Sequence, residues 1–182
     1  MKPYDYANRD GIEEIDWQWF ANLARKLAEM LAGEGVETIV GIARAGLIPA
    51  TTVACMLRCD LFPVRVTRRS NDVVIHDTPV WKVDVSPEVA GKVVAVIDEV
   101  ADSGATLALV ADRVRALGAA RVVTASLVAH TWAEPAPDHA ALKTDALVIF
   151  PWDKSVLHAG QWQLHPELET AIEAQENRAA GP

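Results

Sequence analysis

The chain predicts an α/β fold on a central, mostly parallel sheet flanked by helices, and three observations predict it. Apolar runs of strand length alternate with helix-period segments along most of the sequence. Val93 to Ile97 is an unbroken apolar run between Gly91 and Asp98, the pattern of a parallel strand covered on both faces rather than of a half-exposed one. Finally, two of the apolar runs pass through a small-residue loop straight into a helix. Open α/β sheets present ligand-binding loops in this way, in the crevice beyond the carboxyl ends of the strands.

Taken in order, Asp16 is placed to cap a first helix whose apolar face is Phe20, Leu23, Leu27 and Leu31, and Gly33 and Gly35 end it. Trp17 and Trp19 at its start read as packing anchors. Thr38 to Ile42 is a strand, followed by Ala43 to Gly46 and a helix with Pro49 near its first turn. Phe62 to Val66 is the next strand. A polar stretch from Arg68 to Pro79 precedes Val80 to Val85, which reads as an antiparallel return. After the central run comes a helix with Leu107, Val110, Ala111, Val114 and Leu117 on its apolar face, closed by Gly118. Arg121 to Val128 is another strand, Pro135 to Pro137 an exposed connection, Ala146 to Phe150 a last apolar strand, and Pro166 to Arg178 a polar helix.

With 182 residues, 51% of them apolar, the chain can bury one sizeable core, so a single domain over residues 1–182 is expected. No apolar run reaches the roughly 18 residues a membrane span needs. The segment Met1 to Asp5 lacks an apolar signal core, and Cys55 and Cys59, placed on one apparent helix, read as small buried hydrophobes rather than a disulfide or metal pair. These features lead to a cytoplasmic, reducing setting. A formal net charge of −8 argues against a nucleic-acid surface. It leaves room for a small anionic ligand, because helix dipoles and a few arginines act locally.

Asp98 and Glu99 follow the central strand, and Asp102, Ser103, Gly104, Ala105 and Thr106 then supply small residues and hydroxyls just before a helix. A helix start of this kind is a ready phosphate site. The carboxylates repel phosphate but accept hydrogen bonds from sugar hydroxyls. Acids beside a phosphate cradle point to a sugar phosphate, whereas a plain helix cap at Asp102 or Ser103 leaves the acid pair unexplained.

Strand, acid pair, spacers and Asp-Ser-Gly-x-Thr in this order resemble the PRPP-binding motif of the type I phosphoribosyltransferases. The resemblance covers roughly residues 12 to 155 and is closest to short microbial purine (xanthine-guanine and hypoxanthine) members. It implies that Asp98 and Glu99 grip the ribose hydroxyls, that Asp102 to Thr106 cradle the 5′-phosphate, and that Asp102 takes or relays a proton at the base nitrogen. Capping the helix is the other reading of Asp102. Ala43, Arg44, Ala45 and Gly46 stand where the family has its pyrophosphate loop, with Arg44 adding a charge-assisted contact and Ala43–Arg44 the place for a non-proline cis peptide. Ala45 departs from the glycine common there. Read alone, the segment is equally a strand-to-helix turn with a surface arginine.

Arg68 and Arg69 match a lid that closes over the diphosphate and excludes water. The family's small C-terminal hood, which recognises the base, corresponds to about residues 129–160. Val148 would offer backbone groups, Trp152 belongs to the Pro-Trp-Asp pattern, and Asp153 would receive an exocyclic amine. His130 stands where a lysine is usual and Leu147 where an aromatic ring is usual. Histidine both donates and accepts, and leucine cannot stack. His130 is equally read as a strand-end group satisfied by backbone, and Trp132 as a stacking or a packing residue.

The implied reaction is transfer of the 5-phosphoribosyl group of PRPP to a purine-like base, releasing pyrophosphate. The implied cofactor is Mg²⁺, carried in on PRPP, with no dedicated protein cage and with Asp98 or Asp153 as the protein groups that could touch it. The expected partners are PRPP and a nucleobase or nucleoside monophosphate, with no nucleic acid and no membrane, and the chain is expected to form a homodimer or higher homo-oligomer. The alternative is a PRPP- or nucleotide-sensing regulator on the same fold with little transfer activity. A sugar-phosphate hydrolase using Asp98 and Glu99 as metal ligands would need further acids or histidines at other strand ends, which the sequence does not offer.

Overall fold

The computed structural model of the chain describes Arg9 and residues 11–67, 69–70, 73–74 and 80–179. Its elements run β1 (Ile12–Glu14), α1 (Trp17–Gly33), β2 (Thr38–Ile42), α2 (Leu47–Leu57), β3 (Asp60–Thr67), β4 (Arg69–Ser70), β5 (Val73–Val74), β6 (Val80–Val83), β7 (Val93–Ala101), α3 (Ala105–Ala116), β8 (Arg121–Ala129), β9 (His139–Lys143), β10 (Leu147–Ile149), β11 (Ser155–His158), β12 (Gln161–Leu164) and α4 (Pro166–Ala179). The chain divides into two compact units, one of residues 22–143 and one drawn from residues 1–21 and 144–182.

In the larger unit a six-stranded sheet has the order β6-β3-β2-β7-β8-β9. All its neighbours are parallel except β6, the antiparallel return the sequence predicts, which pairs with β3 across a register shift at Arg65/Val66. Buried branched side chains build the middle strands, as a sheet covered on both faces requires: every residue of β2 is buried, and so are Val94 to Ile97 of β7. On one face, α3 places Leu107, Val110, Ala111 and Val114 in a cluster with Val40, Val64, Val94 and Val96. On the other, α2 rests on Gly41, where a Cβ would come within 2.8 Å of Ala50. Side chains alternate along a strand, so the neighbours Val40 and Gly41 put the two helices on opposite faces.

This topology creates a switch point. From β2 the chain crosses by α2 to β3 on one side, whereas from β7 it crosses by α3 to β8 on the other. The loops leaving β2 and β7 therefore flank one crevice at the carboxyl ends of adjacent strands, where open α/β sheets bind ligands.

The smaller unit holds the parallel pair β1–β10, the antiparallel hairpin β11–β12, and α4. Its core is Leu147, Ile149, Leu168 and Ala171. The last apolar strand of the sequence reading is β10, and its partner is β1, with Ile12 opposite Leu147. The main sheet ends instead on β9, a strand absent from the sequence expectation. Residues 129–143 of the expected hood segment fall in the larger unit.

Two expectations on the first helices have clear outcomes. Asp16 does cap α1, its Oδ1 accepting the Trp19 amide at 2.6 Å. The cysteines are not buried hydrophobes: Cys55 is exposed on α2, and Cys59 lies half-buried beyond the end of that helix, both as free thiols. The helix stops at Arg58, which takes the left-handed conformation, before Cys59 is reached.

Candidate active site

Pairing between β2 and β7 ends at Gly41 opposite Ile97, so the chain leaving β2 turns over the next residue of β7, Asp98. The first loop opens with a cis Ala43–Arg44 peptide bond at the predicted position, and the Ala43 amide donates to Val64 O at 2.7 Å. Leu47 N to Arg44 O at 3.1 Å and Ile48 N to Ala45 O at 3.0 Å then wind the chain into α2. At Gly46 a Cβ would lie 2.6 Å from Asp98 Oδ1 and 2.5 Å from Ile42 O. Only glycine lets the loop sit this close to the acid.

Asp98 is 8% exposed, and its Oδ1 accepts the Glu99 amide at 3.0 Å. Burial, followed by the Glu99 carboxylate beside it, pushes the Asp98 carboxyl well above the usual range. Glu99 is half-buried. β7 does not end at the acids but continues to Ala101, which brings the second loop one step further out.

That loop turns on Gly104, with φ +77°, and a Cβ there would lie 2.0 Å from Pro135 O. Gly104 is the N-cap of α3 and no side chain bonds the helix start as a cap; Ser103 Oγ meets the Ala105 amide at a long 3.4 Å. Beyond the Ala105 amide, the leading amides of α3 lack an intrahelical partner and can serve solvent or an anion. The capping role of Asp102 is not realised. Its Oδ1 instead accepts the indole N–H of Trp132 at 3.1 Å.

The sequence reading leaves Trp132 as a stacking or a packing residue and misses its bond to Asp102. Its ring stacks on His130, with centroids 4.4 Å apart and planes at 16°. The segment around it is stitched to the loop around Asp102: His130 N donates to Ala101 O and Glu134 N to Ser103 O, both at 3.1 Å. No local pattern could reveal a contact between loops thirty residues apart.

The base-site candidates are divided between the two units. His130 is buried in the larger unit, and the others lie in the smaller one. Leu147 is 4% exposed and packs in the core with Ile149, Leu168 and Ala171. Val148 is half-buried opposite Glu13. Trp152 stacks on Phe150 at 4.6 Å and meets Phe20 edge-on at 5.2 Å, while its buried Nε1 has no hydrogen-bond partner among the described residues. Asp153 is exposed, its amide donating to Phe150 O.

Comparison with known proteins agrees with this geometry. The phosphoribosyl transferase domain family matches residues 12–159. This chain belongs to that family. Among solved structures it is similar to a purine phosphoribosyltransferase from Pyrococcus horikoshii Ot3, with 28% identity and a TM-score of 0.70 over 78% of this chain and 93% of that one. It shares its fold with a Neisseria gonorrhoeae protein solved with bound ppGpp (19% identity, TM-score 0.68, 92% and 97% covered). The same holds for the Helicobacter pylori xanthine-guanine-hypoxanthine phosphoribosyltransferase (16% identity, TM-score 0.61, 80% and 93% covered). No curated protein matches the sequence.

In this phosphoribosyl transferase domain the departure at Ala45 is accommodated, since the position with no room for a side chain is the next one, Gly46. Arg44 is exposed on the loop. The expected lid cation Arg68 lies outside the described residues, and Arg69 is on the short strand β4. Among the described residues no helix is long and apolar enough to cross a membrane.

Proposed function

We propose that this phosphoribosyltransferase transfers the 5-phosphoribosyl group of PRPP to a purine-like nucleobase. The observation that carries the reading is the switch-point crevice, where Gly46 brings the first loop against Asp98 while the uncapped start of α3 lies just beyond Glu99 on the same strand. A ligand with phosphate at both ends and a diol between suits that order: diphosphate on Ala43 to Gly46, ribose hydroxyls on Asp98 and Glu99, 5′-phosphate on Ser103 to Thr106. In the reaction the C1–oxygen bond breaks with its electron pair leaving on the diphosphate, and a base nitrogen forms the new bond to C1. The nitrogen's proton passes to Asp102. Catalysis is then mainly positioning and stabilisation of departing charge, so no covalent nucleophile is required.

Mg²⁺ fits as a companion of the substrate. Asp98, against which Gly46 packs, offers a hard oxygen donor beside the proposed diphosphate. When bound, the ion would neutralise charge on the leaving group. The same reading places the protein in the cytoplasm as a homodimer or higher homo-oligomer. Pyrophosphate release from PRPP and Mg²⁺ with guanine, hypoxanthine, xanthine and adenine tests it, and turnover with at least one base is expected. Tight PRPP binding without turnover on any base would favour the sensing regulator.

A further inference from the structure

We infer that Trp132 is a positioning residue for Asp102, a role that rests on the proton-handling reading of Asp102 given above. An indole N–H only donates, so Trp132 cannot exchange protons with the substrate. It can fix the plane of the carboxylate that does. The 3.1 Å bond from Nε1 to Oδ1 joins two half-buried side chains on separate loops, and such a bond is useful only if both loops hold register. They do. The residues on either side of Asp102 offer their carbonyls, Ala101 and Ser103, to amides two positions to either side of Trp132, those of His130 and Glu134. The Ala133 amide closes a turn onto His130 O, and the stack on His130 holds the indole ring at 16° to the imidazole. Past this turn, Pro135 O sits against the Cα of Gly104 and fixes the far side of the same loop. The indole therefore comes from a scaffold that is tied to the phosphate loop before any substrate arrives. This is the form of preorganisation that general acid–base groups need.

The test compares Trp132→Phe, which keeps a ring on His130 but removes the N–H, with Asp102→Ala and with the double variant, using PRPP, Mg²⁺ and the four purine bases named above. Trp132→Phe is expected to lower kcat about tenfold, the scale of one hydrogen bond to a charged group. The KM for PRPP should stay within about twofold, because the phosphate loops are untouched. In the Asp102→Ala background the same substitution should change nothing further. In parallel, the indole N–H resonance of Trp132 should move when Asp102 becomes alanine, a signature that needs neither turnover nor a known acceptor.

Full kcat in Trp132→Phe together with a large loss in Asp102→Ala would overturn the positioning role while leaving the proton role of Asp102 standing. Full kcat in Asp102→Ala would remove the proton role itself, and this inference with it. An indole resonance that ignores Asp102→Ala would overturn the inference whatever the kinetics.

Discussion

In the first loop Gly46 has an ordinary helical backbone, φ −60° and ψ −18°, and space alone forbids a side chain, because Asp98 Oδ1 and Ile42 O would lie 2.6 and 2.5 Å from its Cβ. In the second, Gly104 combines a left-handed φ of +77° with a backbone oxygen of Pro135 only 2.0 Å from where its Cβ would be. Both loops are short glycine turns from strand to helix, yet one is pressed onto an acid of the neighbouring strand and the other onto the backbone of a later connection. The first glycine thus bears on the chemistry of the site, and the second on the architecture that holds the site in place.

The comparison predicts different costs. Gly104→Ala should be the most damaging, at about 4 kcal/mol, since left-handed strain and a clash with rigid backbone add. Urea unfolding would read the loss, and a cost under about 1 kcal/mol would break the contrast. Gly46→Ala should cost about 2 kcal/mol from overpacking alone but weaken PRPP binding more than Gly104→Ala does per unit of stability lost, because the carboxyl it displaces is Asp98. Calorimetry on both variants, under conditions where each is folded, checks the ordering.

A control in the smaller unit comes from Leu147. Enlarging a core side chain packed with Ile149, Leu168 and Ala171 in Leu147→Trp should cost about 1–2 kcal/mol with PRPP affinity unchanged. Improved transfer to 6-oxopurines in that variant would support Leu147 as a base-site residue.

The smallest effect concerns pH. Burial and the adjacent Glu99 keep Asp98 protonated to higher pH than an ordinary aspartate, so the folded state holds a proton that the unfolded chain has released. Stability then falls as pH rises from the unfolded value of about 4 toward the raised folded value, and the loss persists above it. Asp98→Asn removes this penalty, so its stability relative to wild type should improve as pH rises from 4 to 7 in parallel denaturation curves. A gap independent of pH would mean that Asp98 does not titrate as its burial requires.

The sequence made the loops legible because they follow buried strands whose apolar runs have no other reading: Thr38 to Ile42 coincides with β2, and Val93 to Ile97 lies wholly within β7. The cis bond was placed correctly through the family resemblance. What escaped had weaker local physics. β9 contains His139 and Lys143 at its ends and takes its place by pairing with β8 rather than by pattern. The hairpin β11–β12 is mostly exposed, with Leu157 at 61% and Trp162 at 74%, and an exposed hairpin shows no burial alternation to detect. For Leu147 the pattern leaves the facing layer open, since an apolar residue on an apolar strand does not announce which layer it faces. The Trp132–Asp102 bond depends on two loops meeting in space, which no periodicity encodes.

The central claim is that the acid pair and the two loops form one site for one sugar phosphate. Calorimetric titration of PRPP with Mg²⁺ into wild type and into Asp98→Asn, Glu99→Gln tests it most directly. The account predicts one PRPP per chain for wild type and affinity weaker by about 10²-fold or more in the double variant, the effect of two lost hydrogen bonds from the ribose hydroxyls, with the variant still folded by circular dichroism. Equal affinity in the two proteins would contradict it.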